Sequence, residues 1–162
     1  MSHNPKKTAR KARLLRWAMN LYPPYLGAGI RVRHISADFQ RVQVKMGLGW
    51  YNRNYVGTQF GGSLYSMTDP FFMLILMENL SRDYIVWDKA ANIDFIAPGK
   101  GPVFAEFSID DALLDTIRAR TAKGEKYLPE LQVEVRDGAG TLVAKVHKTL
   151  YVRLKPRARQ AA

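Results

Sequence analysis

A chain of 162 residues with 47% hydrophobic content is long enough to bury one core without staples. It has no cysteine, which excludes disulfides, thiolate metal sites and cysteine nucleophiles. The net charge of +11 sits at the ends: residues 1–16 hold six bases and no acid, residues 153–159 hold four more bases, and 15 bases remain elsewhere against 14 acids. Basic ends of this kind attract nucleic acid, other phosphates or anionic lipid without choosing among them. The charge divides the chain into a basic N-terminal segment and helix start (1–16), one domain (17–153) and a basic C-terminal tail (154–162).

The first predicted helix covers residues 7–21. Leu14, Leu15, Trp17, Ala18 and Leu21 form its apolar side, and Pro23-Pro24 ends it. Such a helix either packs on its own domain or lies on a membrane surface. Two strands follow. Ile30 and Val32 alternate with arginines, and Val42, Val44, Met46 and Leu48 alternate with Arg41, Gln43, Lys45 and Gly47. A turn at residues 38–40 makes them a hairpin. Later, Trp87, Ala91, Ile93 and Phe95 are expected on one face of a long strand that ends at Pro98-Gly99. Val103, Ala105, Phe107 and Ile109 form another strand, and Leu131, Val133 and Val135 the next. The turn Asp137-Gly138-Ala139-Gly140 leads into a last strand over residues 142–154. Residues 111–120 fit a short helix or a strand extension.

Between the second and third strands, residues 64–80 are apolar on nearly every side, with Met67, Phe71, Phe72, Met73, Leu74, Ile75, Leu76 and Met77. A helix apolar all round is buried all round. This run is too short and too charged at its ends, by Asp69 and Glu78, to span a bilayer. One buried helix among about six antiparallel strands needs a sheet that curls around it. The element order therefore predicts an α+β hot-dog fold: a curved antiparallel sheet around one long helix, with an N-terminal helix beside it. The sheet leaves open edges, so a homodimer or homotetramer is expected.

Asp69 is the only charge between Arg53 and Glu78. It reads either as a base or nucleophile facing a cleft, or as the N-cap of a helix with Pro70 at its first position. Upstream, Gly61-Gly62 before a helix can bring bare N–H groups to a ligand oxygen, or can simply make a tight loop. Tyr51, Tyr55, Phe60, Tyr65, Phe71 and Phe72 surround the motif and suit an apolar acyl or aryl pocket, or ordinary packing.

Residues 54–69 resemble the signature of hot-dog acyl-CoA thioesterases of the phenylacetate-degradation type. In that family an Asn or Gln precedes a His-Gly-Gly triplet by six residues, and an Asp or Glu follows the His by nine. Here Asn54, Phe60-Gly61-Gly62 and Asp69 keep both spacings, with Phe60 in the His position. Residues 91–99 and 131–151 also resemble that family's strands. Residues 17–35, with Leu21-Tyr22-Pro23-Pro24 and Gly27-Ala28-Gly29, are similar to a related bacterial group of thioesterase-like domains of unassigned function. The resemblance implies hydrolysis of an acyl-CoA or related acyl thioester, with acyl binding without turnover as the alternative. Asp69 is then the nucleophile or general base. The Gly61 N–H polarises the thioester carbonyl, and Asn54, supplied across a dimer interface, positions water or carbonyl. Gly62, Phe60, Tyr65 and Thr68 are placed at the substrate. Pro70 directly after Asp69 predicts a kink or a re-aimed carboxylate.

Other chemistries have little support. His3, His34 and His147 lack metal-ligand spacing, Gly61-Gly62-Ser63 is not a serine-hydrolase elbow, and the remaining glycine pairs lack a dinucleotide fingerprint. No metal and no cofactor is expected. The absence of a clean apolar leader points to a cytoplasmic protein, with an organelle transit segment as the alternative. Nucleic-acid or anionic-lipid contact through the basic tails is a third functional expectation.

Overall fold

The computed structural model describes residues 5–156, with side chains from residue 8. Arg157 and Arg159 of the expected C-terminal tail lie outside the described residues, as do residues 1–4. The chain opens with α1 (Pro5–Asn20) and α2 (Pro23–Ala28). Proline fits the first turn of a helix, where its missing N–H is unpartnered anyway. The proline pair therefore opens a second helix as well as ending the first. The hairpin β1 (Ile30–Ile35) and β2 (Arg41–Met46) follows as expected, then two helices, α3 (Gly61–Ser66) and α4 (Phe71–Asn79). The rest is β3 (Tyr84–Phe95), β4 (Val103–Ser108), α5 (Asp111–Thr121), β5 (Lys126–Tyr127), β6 (Glu130–Asp137) and β7 (Leu142–Leu154). Asp110 caps α5 by accepting from the Leu113 N–H at 2.8 Å, which settles residues 111–120 as helix.

All seven strands are antiparallel neighbours in one open sheet ordered β1-β2-β4-β6-β7-β3, with the two-residue β5 beside the end of β7. The inner face packs on α4. Phe71 and Phe72 place their rings 4.9 and 5.2 Å from that of Phe107 on β4. α4 also touches β3, three places further along the sheet order, so the sheet bends around it. This is the hot-dog architecture. Among the described residues no helix is long and apolar enough to cross a membrane.

Two expectations need correction. The apolar run is not one continuous helix buried on every side. It breaks at residues 67–70, because Pro70 has no N–H to continue the ladder and its ring crowds the preceding turn. Met77 is 53% exposed. The face shared by Trp87, Ala91, Ile93 and Phe95 is not formed either. A bulge between Asp88 and Ala90 inserts one residue into β3 and reverses its parity. Ala91, Ile93 and Phe95 stand opposite Lys148, Val146 and Ala144 on the inner side. Trp87 stands opposite Tyr151 on the outer side, their rings stacked at 4.2 Å. Asp88 is thereby turned inward.

The β1–β2 turn is held by Asp38, whose carboxylate accepts from the Ser36 hydroxyl and the Gln40 N–H. These bonds, the Ser36 one first, hold the carboxyl below its ordinary value of 3.8. A carboxylate depressed in the folded state stabilises above its unfolded value and loses that contribution as pH falls through the folded one. Asp38→Ala should therefore lower the unfolding free energy at neutral pH by under about 1 kcal/mol in this solvent-screened turn. Urea titrations should show the gap to wild type closing as pH falls below 3.8.

Candidate active site

Inward positions of β7 alternate as Ala144, Val146, Lys148, Leu150 and Val152, so a lysine enters an otherwise apolar register. Lys148 is 1% exposed. An ammonium cannot be buried without countercharge, and two elements supply it. The β3 bulge turns Asp88 inward, where its Oδ2 lies 3.1 Å from Lys148 Nζ. The break between α3 and α4 places Asp69 Oδ1 at 3.0 Å from the same nitrogen. The Tyr65 ring covers the ammonium, its centroid 5.5 Å away. Burial opposes the charge on Lys148, but the bonds and fields of Asp69 and Asp88 outweigh it and raise the ammonium above its ordinary value.

The cluster is graded from inside to outside. Asp88 is 24% exposed and its Oδ1 is buried without a partner, whereas Asp69 is 51% exposed. Asp69 is thus the member that can meet a ligand. It is not a helix cap: Pro70 takes the N-cap position of α4 with no side-chain bond, and the Asp69 carboxylate accepts from Lys148 instead. Tyr25 of α2 adds a buried hydroxyl with no partner. Burial, then the Asp69 charge, then Tyr22, push its phenol far up, so it remains an O–H donor beside the carboxylate.

The motif loop is built separately. Asn54 Oδ1 accepts from the Thr58 N–H at 2.9 Å, and its Nδ2 donates to Thr58 Oγ1 at 2.9 Å and to the Gln59 carbonyl at 3.3 Å. Buried Gln59 ties the loop to the carbonyls of Gly47 and Gly101. A cleft of about 320 Å³ results, walled by Asn54, Gly61, Leu64, Phe95 and Pro98. The two glycines let exposed rings lie close: a Cβ on Gly61 would stand 3.0 Å from the Phe95 ring, and one on Gly62 2.5 Å from the Phe60 ring, so each ring would have to shift. Thr68 is fully buried and its hydroxyl donates to the Tyr65 carbonyl at 2.8 Å. Phe60 is 55% exposed.

The structure brings Asn54 and Gly61 to one cleft and Asp69 to another place. Gly61 opens α3 and lines the cleft, whereas Asp69 stands eight positions on, in the break after α3, and is not part of the cleft wall. A hollow of about 810 Å³ lies across β2, β4 and β6 and holds none of the motif residues. Sequence reading missed Lys148, Asp88 and Tyr25. A lysine in the inward register of the last strand was a signal in plain view. The bulge hid Asp88, and nothing local marked Tyr25.

The family model described as "Domain of unknown function (DUF4442)" matches residues 10–152. The chain belongs to this family. No curated protein sequence matches it. Solved structures share its hot-dog fold. A Pseudomonas aeruginosa protein of unknown function, described as a probable thioesterase, superposes with a TM-score of 0.78 at 17% identity, covering 88% of this chain and 95% of that one. The PaaI protein of the E. coli phenylacetic acid degradation operon gives 0.60 at 14% identity, covering 90% and 93%. Mouse thioesterase superfamily member 2 gives 0.62 at 17%, covering 93% and 98%. At these identities the likeness is one of fold.

The cluster makes an asymmetric prediction for stability. Lys148→Met leaves two carboxylates facing each other without a cation and should cost about 3 kcal/mol. Asp69→Asn leaves the ammonium paired with Asp88 and should cost under about 1 kcal/mol. Denaturant midpoints of the two variants check the order; equal losses would mean that Lys148 does not join the carboxylates.

Proposed function

We propose that the chain hydrolyses an acyl-CoA or related acyl thioester, with Asp69 as base or nucleophile. The observation that carries this reading is the buried Lys148, which fixes a half-exposed carboxylate at a helix break in a fold shared with thioesterases. A carboxylate so held can take a proton from an attacking water, or attack the carbonyl carbon itself. In either case the C–S bond breaks, and the thiolate leaves with the electron pair. In the base route it takes the proton from Asp69. In the nucleophile route water then hydrolyses the acyl–Asp69 anhydride to free acid and carboxylate. The developing oxyanion needs a donor, and the Gly61 N–H at the start of α3 suits that role.

We place donor and carboxylate on different copies, because Gly61 lines a cleft whose wall does not include Asp69. Support comes from β3, an edge strand of 12 residues bonded to β7 on one side. Phe95 and Ile96 are 57% and 56% exposed, beside the motif loop with its exposed Tyr55 and Val56. An unpaired apolar edge of this length calls for a second strand. We therefore place Asn54 and Gly61 of one protomer opposite Asp69 of its partner in a homodimer, or in a tetramer of such dimers. Sedimentation at micromolar concentration should show at least a dimer; a monomer with full turnover would remove the shared site.

A second reading, acyl binding without turnover, is favoured by one observation: the Asn54 amide is spent within its own loop, and Phe60 offers no polar group. A panel of acyl-CoA substrates run with wild type and Asp69→Asn separates the two. Turnover should fall roughly 10²–10⁴-fold in the variant, with little change in unfolding midpoint. An Asn variant with wild-type rates contradicts the proposal, and tight binding with no wild-type turnover favours the second reading.

A further inference from the structure

The outward face of α1 has no role in the thioester site. Its inward face packs on the domain: Ala12 is 2% exposed, Leu15 and Met19 lie against the core, and Asn20 bonds both the N–H and the carbonyl of Val32. Leu14, Trp17 and Leu21 are 59%, 59% and 65% exposed. Their spacing of three and four residues makes them one stripe on the opposite side. Tyr22 and Leu26 continue it at 54% and 41% exposure. Arg10 and Arg13, also exposed, flank the stripe. Next to it a cleft of about 370 Å³ runs between α1 and β1, lined by Ala12, Arg13, Arg16, Arg33 and His34. The Arg16 guanidinium bonds the Arg33 carbonyl at 3.3 Å. Among the described residues no carboxylate comes within ion-pair distance of these arginines. The first acid in the sequence is Asp38.

An exposed Trp–Leu stripe bordered by uncompensated arginines on one helix fits the boundary of an anionic bilayer, where apolar side chains enter and guanidinium groups meet headgroup phosphates. Nucleic acid would use the arginines but would gain little from Leu14 and Leu21. A second copy would bring a second set of the same uncompensated arginines to the interface and no acid to offset them. We propose that α1 seats the protein on an anionic membrane surface, with Leu14, Trp17 and Leu21 at the headgroup–acyl boundary and Arg13, Arg16 and Arg33 on lipid phosphates. The inference does not rest on the thioester reading. It leaves β3 free, since α1 lies on β1 at the opposite edge of the sheet.

Vesicle flotation of the full chain tests it, with phosphatidylcholine alone, phosphatidylcholine mixed with phosphatidylglycerol, and duplex DNA as a competitor. Wild type should float with the anionic vesicles and not with the neutral ones. Arg13→Ala/Arg33→Ala should lower partitioning roughly thirtyfold. Leu14→Ser/Trp17→Ser should also lose binding, although it keeps every charge. Both variants alter exposed side chains, so unfolding midpoints should match wild type. Wild type remaining in solution, binding unchanged in the Ser variant, or preference for DNA over anionic vesicles would overturn the proposal. So would a smaller assembly for the Ser variant in sedimentation, which would make the stripe an interface between copies.

Discussion

The ammonium of Lys148 is the constraint on which the site depends. A lysine at the centre of an inner sheet face is untenable without countercharge, and its two partners come from elements with no other reason to converge there. Asp88 reaches it only because β3 carries a bulge. Asp69 reaches it where the apolar helix breaks before Pro70. A bulge, a proline break and the register of β7 are thus tied to one nitrogen. The inner carboxylate keeps the cation charged, and the outer one is left facing solvent with a fixed orientation. Under the proposed function, this holds the Asp69 carboxylate in place before substrate arrives.

That arrangement explains two departures from the motif that the spacing invokes. Pro70 interrupts the helix, yet the interruption is where Asp69 turns toward Lys148. Phe60 stands in the position of a histidine, and its ring lies against Gly62, so a side chain at that glycine would push the ring aside. The buried Tyr25 hydroxyl brings a polar group from α2, outside the motif altogether.

Most of the architecture was legible because alternation is a strong signal where one face is buried. Val103, Ala105 and Phe107 alternate without exception, and β4 follows them. The β1–β2 and β6–β7 hairpins were legible from their turns. Parity was not legible in β3, since one inserted residue moves every later side chain to the other face, and the insertion at Lys89 has no local mark. The apolar run at residues 64–80 showed its burial but not its division, although Pro70 announced a kink. For the site, spacing identified Asn54, Gly61 and Asp69 as a set but not their separation within one chain. Lys148 was visible as a charge among Val146, Leu150 and Val152. Its meaning required the partners, which lie 60 and 79 residues away in sequence.

The proposed site is shared: the cleft at Gly61 of one copy faces Asp69 of another across the β3 edge. The measurement that tests this most directly is a crystal structure with a non-hydrolysable thioester analogue bound. The account predicts the analogue's carbonyl at the Gly61 N–H of one protomer, in the cleft between Asn54 and Phe95, with Asp69 of the other protomer facing the carbonyl carbon and still bonded to its own Lys148. An analogue seated away from that cleft, or an Asp69 turned from the carbonyl, would contradict it.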